Sequence, residues 1–369
     1  MSPHVVPDDP NSPIMPVIVA DALVTQRGND EQWLTPATLT VETVARPLRC
    51  RLARKVHPLG RAAIAFAGSG DHIATCYQDV LGHLPTWLEQ ERPMASLAQH
   101  SNLYTNLYGP GAIQTLGSCQ VPNGFNTCYP RALVEFAHIP QLGMCTAIGS
   151  GHADLIARAR EGERDLQQMA EAPLFERVRG FVASLNGRRL AEEMFTERNL
   201  PNAWGGYLEF VYFDFRVGRW VFGPSALNLF AILHQERLGV RSLRFYSRAI
   251  GYMPGDELGR VLTLSSTPGG EIGADWTVAR GHSRLTVGEA SLDPWRNWIP
   301  ETFTVTILVP MDDGSLRFMM RSNSPEELEA LRFAIDGSNV HYGLSNKFAA
   351  ELGMAACNVI QETFIQVAD

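Results

Sequence analysis

The chain has 369 residues, 45% of them hydrophobic and 19% charged, and a net charge of −8. That length implies two domains or one large domain with an extension, and the composition is that of a packed soluble protein. The negative balance excludes the basic face of a nucleic-acid binder, and no apolar run approaches the ~20 residues of a transmembrane helix, so neither nucleic acid nor membrane is an expected partner.

The first residues, MSPHVVPDDPNSPIMP, have neither the basic nor the apolar region of a secretory signal. Pro3, Pro7, Pro10 and Pro13 supply no ladder N–H, so residues 1–14 read as a proline-rich arm. The six cysteines (Cys50, Cys76, Cys119, Cys128, Cys145 and Cys357) are too sparse for a disulfide framework. A reduced cytoplasmic protein is expected.

Structure is expected to start at the β-branched run Val17–Val24, with a further strand at Thr38–Val44. Residues 55–67 read as a strand, a turn around Pro58-Leu59-Gly60, and a buried strand from Ala62 to Ala67. Gly68-Ser69-Gly70-Asp71 then opens a helix over roughly 71–90, with Asp71 favourable at its start. Short strands are expected over 101–148. Gly149-Ser150-Gly151 opens a second helix from His152 to about Glu163, and Ala172–Phe195 reads as helix interrupted at Gly180 and Gly187.

Strands at Tyr207–Phe215 and Arg219–Phe222 follow, then a segment of helical character at Ala226–Gln235. Strands are expected at Leu258–Ser265, Thr302–Pro310 and Leu316–Met320, the last two joined through Asp313-Gly314, a hairpin signal. Ser324-Pro325-Glu326-Glu327 has a capping-box pattern that predicts a helix to about Ile335, and a last helix is expected at Asn346–Cys357. Strand pairs, helices and another strand pair make an α+β layering.

Three segments carry a resemblance. They are Val17-Ile18-Val19-Ala20-Asp21; Lys55-Val56-His57-Pro58-Leu59 followed six residues later by Phe66-Ala67-Gly68-Ser69-Gly70-Asp71; and Ala147-Ile148-Gly149-Ser150-Gly151 leading into a helix. Gly205-Gly206 before paired strands is a fourth, weaker one. In this order they resemble proteasome β-subunits and the related bacterial peptidase subunits, the proteasome-like N-terminal-nucleophile (Ntn) hydrolases, over residues 15–225. The resemblance implies a four-layer αββα sandwich of antiparallel sheets there, with 226–369 as a C-terminal α/β extension.

The resemblance also implies amide hydrolysis by an N-terminal Thr, Ser or Cys whose own amine takes the proton. By position, Lys55 would lower the nucleophile's pKa, Asp21 would hold that lysine charged, and the Gly68 N–H would bind the oxyanion. Ser150 would support the free amine, and Ser2 would become N-terminal once Met1 is removed. Lys55 and Asp21 are expected on neighbouring strands of one sheet.

The sequence departs from that pattern in three places. The position sixteen residues before Asp21 is Val5 rather than a nucleophile, Pro201-Asn202-Ala203-Trp204 stands where the family has Asp-x-x-Ser, and the stretch between Asp21 and Lys55 carries an insertion. Two readings follow. One is an amidohydrolase with altered catalytic residues acting on a peptide or small amide. The other is a non-catalytic scaffold or binding subunit, in which Lys55–Asp21 is a structural ion pair. A homo-oligomer is expected in both.

His72, Cys76, Asp79 and His83 share a helix face; four ligands along three turns do not converge on one ion, although two of them with a distant residue could, and the expectation is a mixed helix face with a buried Cys and no metal. The Gly-Ser-Gly turns lack a Walker lysine, and with no GxGxxG present no cofactor is expected. The aromatic run from Trp204 to Phe222 reads as core and subunit interface.

Overall fold

The computed structural model describes residues 16–21, 54–109, 112–130, 134–140, 142–149, 151–161, 171–195, 207–235, 241–253, 260–266, 271–272, 276–285, 295–311, 316–323, 329–336 and 339–367. The protein is α+β, built mainly from antiparallel strands, and it divides into two compact units. The first draws on Arg51–Leu185 and Asn199–Gly223 together with the start of the chain; the second draws on Asn186–Arg198 and Pro224–Asp369. No described helix is long and apolar enough to cross a membrane.

In chain order the first unit holds β1 (Val17–Asp21), β2 (Val56–Leu59), β3 (Ala62–Gly68), α1 (Gly70–Leu88), α2 (Pro93–Tyr108), β4 (Ile113–Val121), β5 (Gly124–Cys128), β6 (Val134–Ile139), β7 (Gly143–Ile148) and α3 (His152–Glu161). Then come α4 (Leu174–Phe195), within which the division between units falls, β8 (Leu208–Asp214) and β9 (Arg219–Phe222). Strands β2-β3-β4-β5 form an antiparallel meander, β1-β8-β9 a three-stranded sheet, and β6-β7 a hairpin.

Alternation along the strands sorts side chains into distinct cores. On β3, Ala62, Ile64 and Phe66 pack with Cys76, Val80 and Leu84 of α1 and with Met94, Leu97 and Tyr104 of α2. The intervening Ala63 and Ala65 share a cluster with Ile18 of β1, Val211 and Phe213 of β8 and Trp220 of β9. On β1, Val17 and Val19 turn the other way, toward Cys145 and Ala147 of β7, Ile156 of α3 and Phe181 and Leu185 of α4. Because β3 is covered on both faces, its sequence is an unbroken apolar run rather than an alternating one. The β2–β3 turn is tied to β9 by the Trp220 N–H, which donates to Gly60 O at 2.9 Å, and by Trp220 Nε1, which donates to Arg61 O at 3.1 Å.

The second unit contains β10 (Ala226–Gln235), β11 (Arg241–Met253), β12 (Arg260–Ser266), β13 (Glu271–Ile272), β14 (Trp276–Leu285), β15 (Thr302–Pro310), β16 (Leu316–Asn323), β17 (Leu331–Asp336), β18 (Asn339–Ser345) and α5 (Asn346–Val367). They build one nine-stranded sheet in the order β16-β15-β10-β11-β12-β14-β18-β17, with β13 on β14. The single parallel pairing among the described strands is β10 with β15. Its register is set where both strands begin: Ser225 N donates to Glu301 Oε2 at 2.9 Å while Glu301 N donates to Ser225 Oγ at 3.1 Å. Leu227, Leu229, Phe303, Val305 and Ile307 line one sheet face and pack with Phe348 and Leu352 of α5 and with Trp295.

Several expectations are corrected. Residues 226–235 are a central strand, not a helix; paired on both sides, their apolar run carries no period to separate the two states. Residues 331–336 are a strand rather than the end of a capped helix. There Leu331 and Phe333 face the core while Arg332 and Ala334 are exposed, a period of two, and β18 pairs along the whole length. Residues 101–108 belong to α2 rather than to strands. Helix α4 runs unbroken through Gly180 and Gly187, since each costs only about 1 kcal/mol and buried Phe181, Val182 and Leu185 hold the helix in place. The proline-rich arm, Thr38–Val44, Gly205-Gly206 and Ser324-Pro325-Glu326-Glu327 lie outside the described residues.

Phe303 is fully buried, edge-on to Phe348 at 5.6 Å. Phe303→Ala is expected to destabilise the second unit by about 3–5 kcal/mol, read from the shift of its denaturant midpoint.

Candidate functional site

The site is built where the segment entering β2 meets the ends of β1 and β8. The Phe66 N–H donates to Lys55 O at 2.8 Å, which fixes Lys55 beside β3, and the next side chain, Val56, is anchored in the core shared with β1 and β8. Asp21 closes β1 opposite Leu208. Lys55 Nζ donates to Asp21 Oδ1 at 2.9 Å, and the two side chains retain 19% and 17% of their exposure. The pair therefore joins two different sheets rather than neighbouring strands of one, a correction to the sequence expectation.

A second ion pair lies alongside. Arg54 Nε is 3.5 Å from Glu209 Oε2, at side-chain exposures of 6% and 4%, and the Arg54 guanidinium lies 4.3 Å from the centroid of the Phe222 ring. Glu209 stands opposite Ala20, one residue from Asp21 along β1. Consecutive cations thus meet carboxylates carried by paired strands. Sequence reasoning missed Arg54 and Glu209, although a signal was present: a lone carboxylate in the apolar run Tyr207-Leu208-Glu209-Phe210-Val211 demands a buried partner.

His57, two residues beyond Lys55, stacks on Tyr77 at 4.2 Å and meets Phe66 edge-on at 5.8 Å. Burial, reinforced by the Arg54 charge, pushes its pKa down to about 4, so the imidazole is neutral at pH 7.

Gly68 ends β3 with φ +130°, and a Cβ there would stand 2.2 Å from Ala112 O, so only glycine fits. That same carbonyl accepts the Ser69 N–H at 2.9 Å, and Ser69 O in turn accepts Ile73 N–H as α1 begins. Gly149, at φ +93°, ends β7, and a Cβ on it would lie 3.1 Å from Ala67 Cβ. The turn that enters α3 is therefore set against the end of β3, next to Gly68. His152 Nδ1 lies 2.8 Å from Gly149 O and holds the turn. Ser150 and Ser2 lie outside the described residues.

The remaining candidates have packing roles. Cys76 is buried beneath α1, and burial together with the Asp79 charge pushes its thiol up to about 11. The Tyr104 hydroxyl donates to Asp79 Oδ2, His72 stacks on Tyr108 at 4.2 Å, and His83 stacks on Trp87 at 5.7 Å. Burial also pushes Cys128 and Cys145 up to about 12, which leaves both as unreactive thiols. Among the described residues, no group of three or more His, Cys, Asp or Glu is placed to hold a metal ion. Compared with models of protein families and with curated proteins, the chain matches none.

Two outcomes are expected. Arg54→Met removes the buried cation beside Glu209 and should cost roughly 3–5 kcal/mol, whereas Arg54→Met with Glu209→Leu should recover most of that in denaturant melts. For His57, the unfolded chain takes a proton near pH 6.5 that the folded chain refuses until about pH 4. Stability should therefore fall by on the order of 3 kcal/mol as the pH drops through that window and level off below it. The denaturant midpoints of His57→Phe, followed over the same range, should lack this component.

Proposed function

We propose that the first unit is a divergent proteasome-like Ntn hydrolase domain, a four-layer αββα sandwich whose site around Lys55 and Asp21 acts in amide-bond hydrolysis. The observation that carries this reading is the Lys55–Asp21 contact at 2.9 Å, bridging two sheets; Lys55 O accepts the Phe66 N–H of the strand that Gly68 ends, and the Gly149 turn lies against Ala67 of that strand. The division of β1 and β3 side chains between separate cores supports the layering, with helices on the far face in each case.

The neighbouring pair sharpens the argument. Arg54 and Glu209 are almost wholly buried, while Lys55 and Asp21 remain partly open to solvent. A brace needs no such opening; a group that must face a substrate does. In the reaction, the N-terminal hydroxyl, for which Ser2 is the candidate, attacks the amide carbonyl as the chain's own amine takes its proton. The Gly68 N–H would receive the oxyanion, and the Lys55 ammonium, kept in place by Asp21, would favour the ionised nucleophile. Expulsion of the amine leaves an ester that water hydrolyses. Peptides or small amides are the substrate class, and self-association belongs to the same reading.

A scaffold descended from such an enzyme is the second reading. It is favoured by Pro201-Asn202-Ala203-Trp204, which offers no carboxylate and no hydroxyl where the hydrolases carry both.

Lys55→Ala is expected to lower turnover of fluorogenic peptide amides by orders of magnitude while costing about 1–3 kcal/mol in stability. Lys55→Met with Asp21→Leu should regain stability and stay inactive. A double variant as active as the parent would rule out the catalytic role.

A further inference from the structure

We propose that Asn123, at the tip of the β4–β5 hairpin, is a site of spontaneous covalent modification, closing to a cyclic imide and reopening as an aspartyl or isoaspartyl residue. The chemistry needs an asparagine followed by a residue whose amide nitrogen can reach the side-chain carbonyl. Glycine obstructs that approach least, because it has no Cβ and the widest backbone freedom. The chain contains two such steps, Asn123-Gly124 and Asn186-Gly187. The fold treats them differently.

Asn123 lies in the turn that joins β4 to β5, where Val121 pairs with Gly124 and only Pro122 and Asn123 stand between them. Pro122, Asn123 and Gly124 are all exposed. Gly124 has φ +130°, and a Cβ built there meets nothing within 4 Å, so the space a ring closure needs is open. Strand β5 is an edge of its meander, and an exposed turn at a sheet edge is where local opening of the backbone costs least. Asn186, by contrast, is 3% exposed and sits inside α4. The N–H of its following glycine belongs to the helix ladder, and buried Leu185, Leu190 and Ala191 keep that stretch packed.

In the reaction the Gly124 nitrogen gives up its proton and bonds to Asn123 Cγ. The Cγ–Nδ2 bond breaks, and the side-chain amide leaves as ammonia, taking up that proton. Water then adds to one of the two imide carbonyls. Opening at the side-chain carbonyl restores the ordinary peptide link and leaves aspartate. Opening at the main-chain carbonyl routes the backbone through the side chain and leaves isoaspartate. The consequences stay local. Phe125, the next residue, packs edge-on against Phe213 at 5.2 Å and Trp220 at 6.1 Å, which anchors β5 beyond the turn. The longer isoaspartyl link is taken up in the turn itself, and each event adds a negative charge to a chain already at −8.

The test is peptide mapping by mass spectrometry of the full chain, held in mildly alkaline buffer made with heavy-oxygen water, both folded and in denaturant. In the folded chain the peptide containing Asn123 should convert to two acidic isomers of equal mass, each carrying a single heavy oxygen. The peptide containing Asn186 should stay intact. In denaturant both peptides should convert at similar rates, because the fold alone protects Asn186. Asn123→Gln should abolish the acidic isomers and keep the circular dichroism melt of the parent. An Asn123 that stays intact in the folded chain overturns the proposal, as does equal conversion at Asn186 in that state. A single aspartyl product at Asn123 also overturns it, since direct hydrolysis without the imide gives no isoaspartate.

Discussion

Two sheets of the first unit are joined by ion pairs, and the surrounding geometry depends on that junction. Arg54 and Lys55 are consecutive, so one short segment delivers a cation to each of two carboxylates, Glu209 on β8 and Asp21 on β1. Because those strands pair with Ala20 opposite Glu209, the acceptors are themselves neighbours. The deeper pair lies against the Phe222 ring, 4.3 Å from the Arg54 guanidinium. The shallower Lys55–Asp21 contact remains partly open to solvent. Burial of charge is expensive, and such an arrangement persists only when both partners are held.

Much of the first unit was legible because its strands and helices announce themselves at their ends. Gly60 turns β2 into β3, Gly68 stops β3 and Gly149 stops β7, each at a positive φ that favours glycine. Gly68 and Gly149 also belong to the motifs that carried the family resemblance. The Lys55–Asp21 contact was legible as a pair, but its placement between sheets was not. A register that crosses from one sheet to another is set by packing of Val56 and Ile18, which no local pattern encodes.

The second unit was harder to read for a physical reason. Its strand β10 is paired on both sides and buried on most positions, so it carries the unbroken apolar signature that a buried helix shares. At β17 a helix-start signal at Ser324 competed with the alternation of Leu331, Arg332, Phe333 and Ala334, and pairing to β18 decided in favour of the alternation. Glu209 shows the same limit from the other side. Its partner is remote in sequence, so only the demand for a partner is visible, not its identity.

Whether the junction serves chemistry or only holds the sheets together turns on one property of the mature chain. An Ntn mechanism requires a free amine on the residue that bears the nucleophile. Intact mass of the protein purified from its native source, refined by sequencing of the first residues, reads this directly. The account predicts a mature chain that begins at Ser, Thr or Cys. A chain that retains Met1, or begins at any residue without a hydroxyl or thiol, would contradict the hydrolase and leave the two ion pairs as a scaffold's brace.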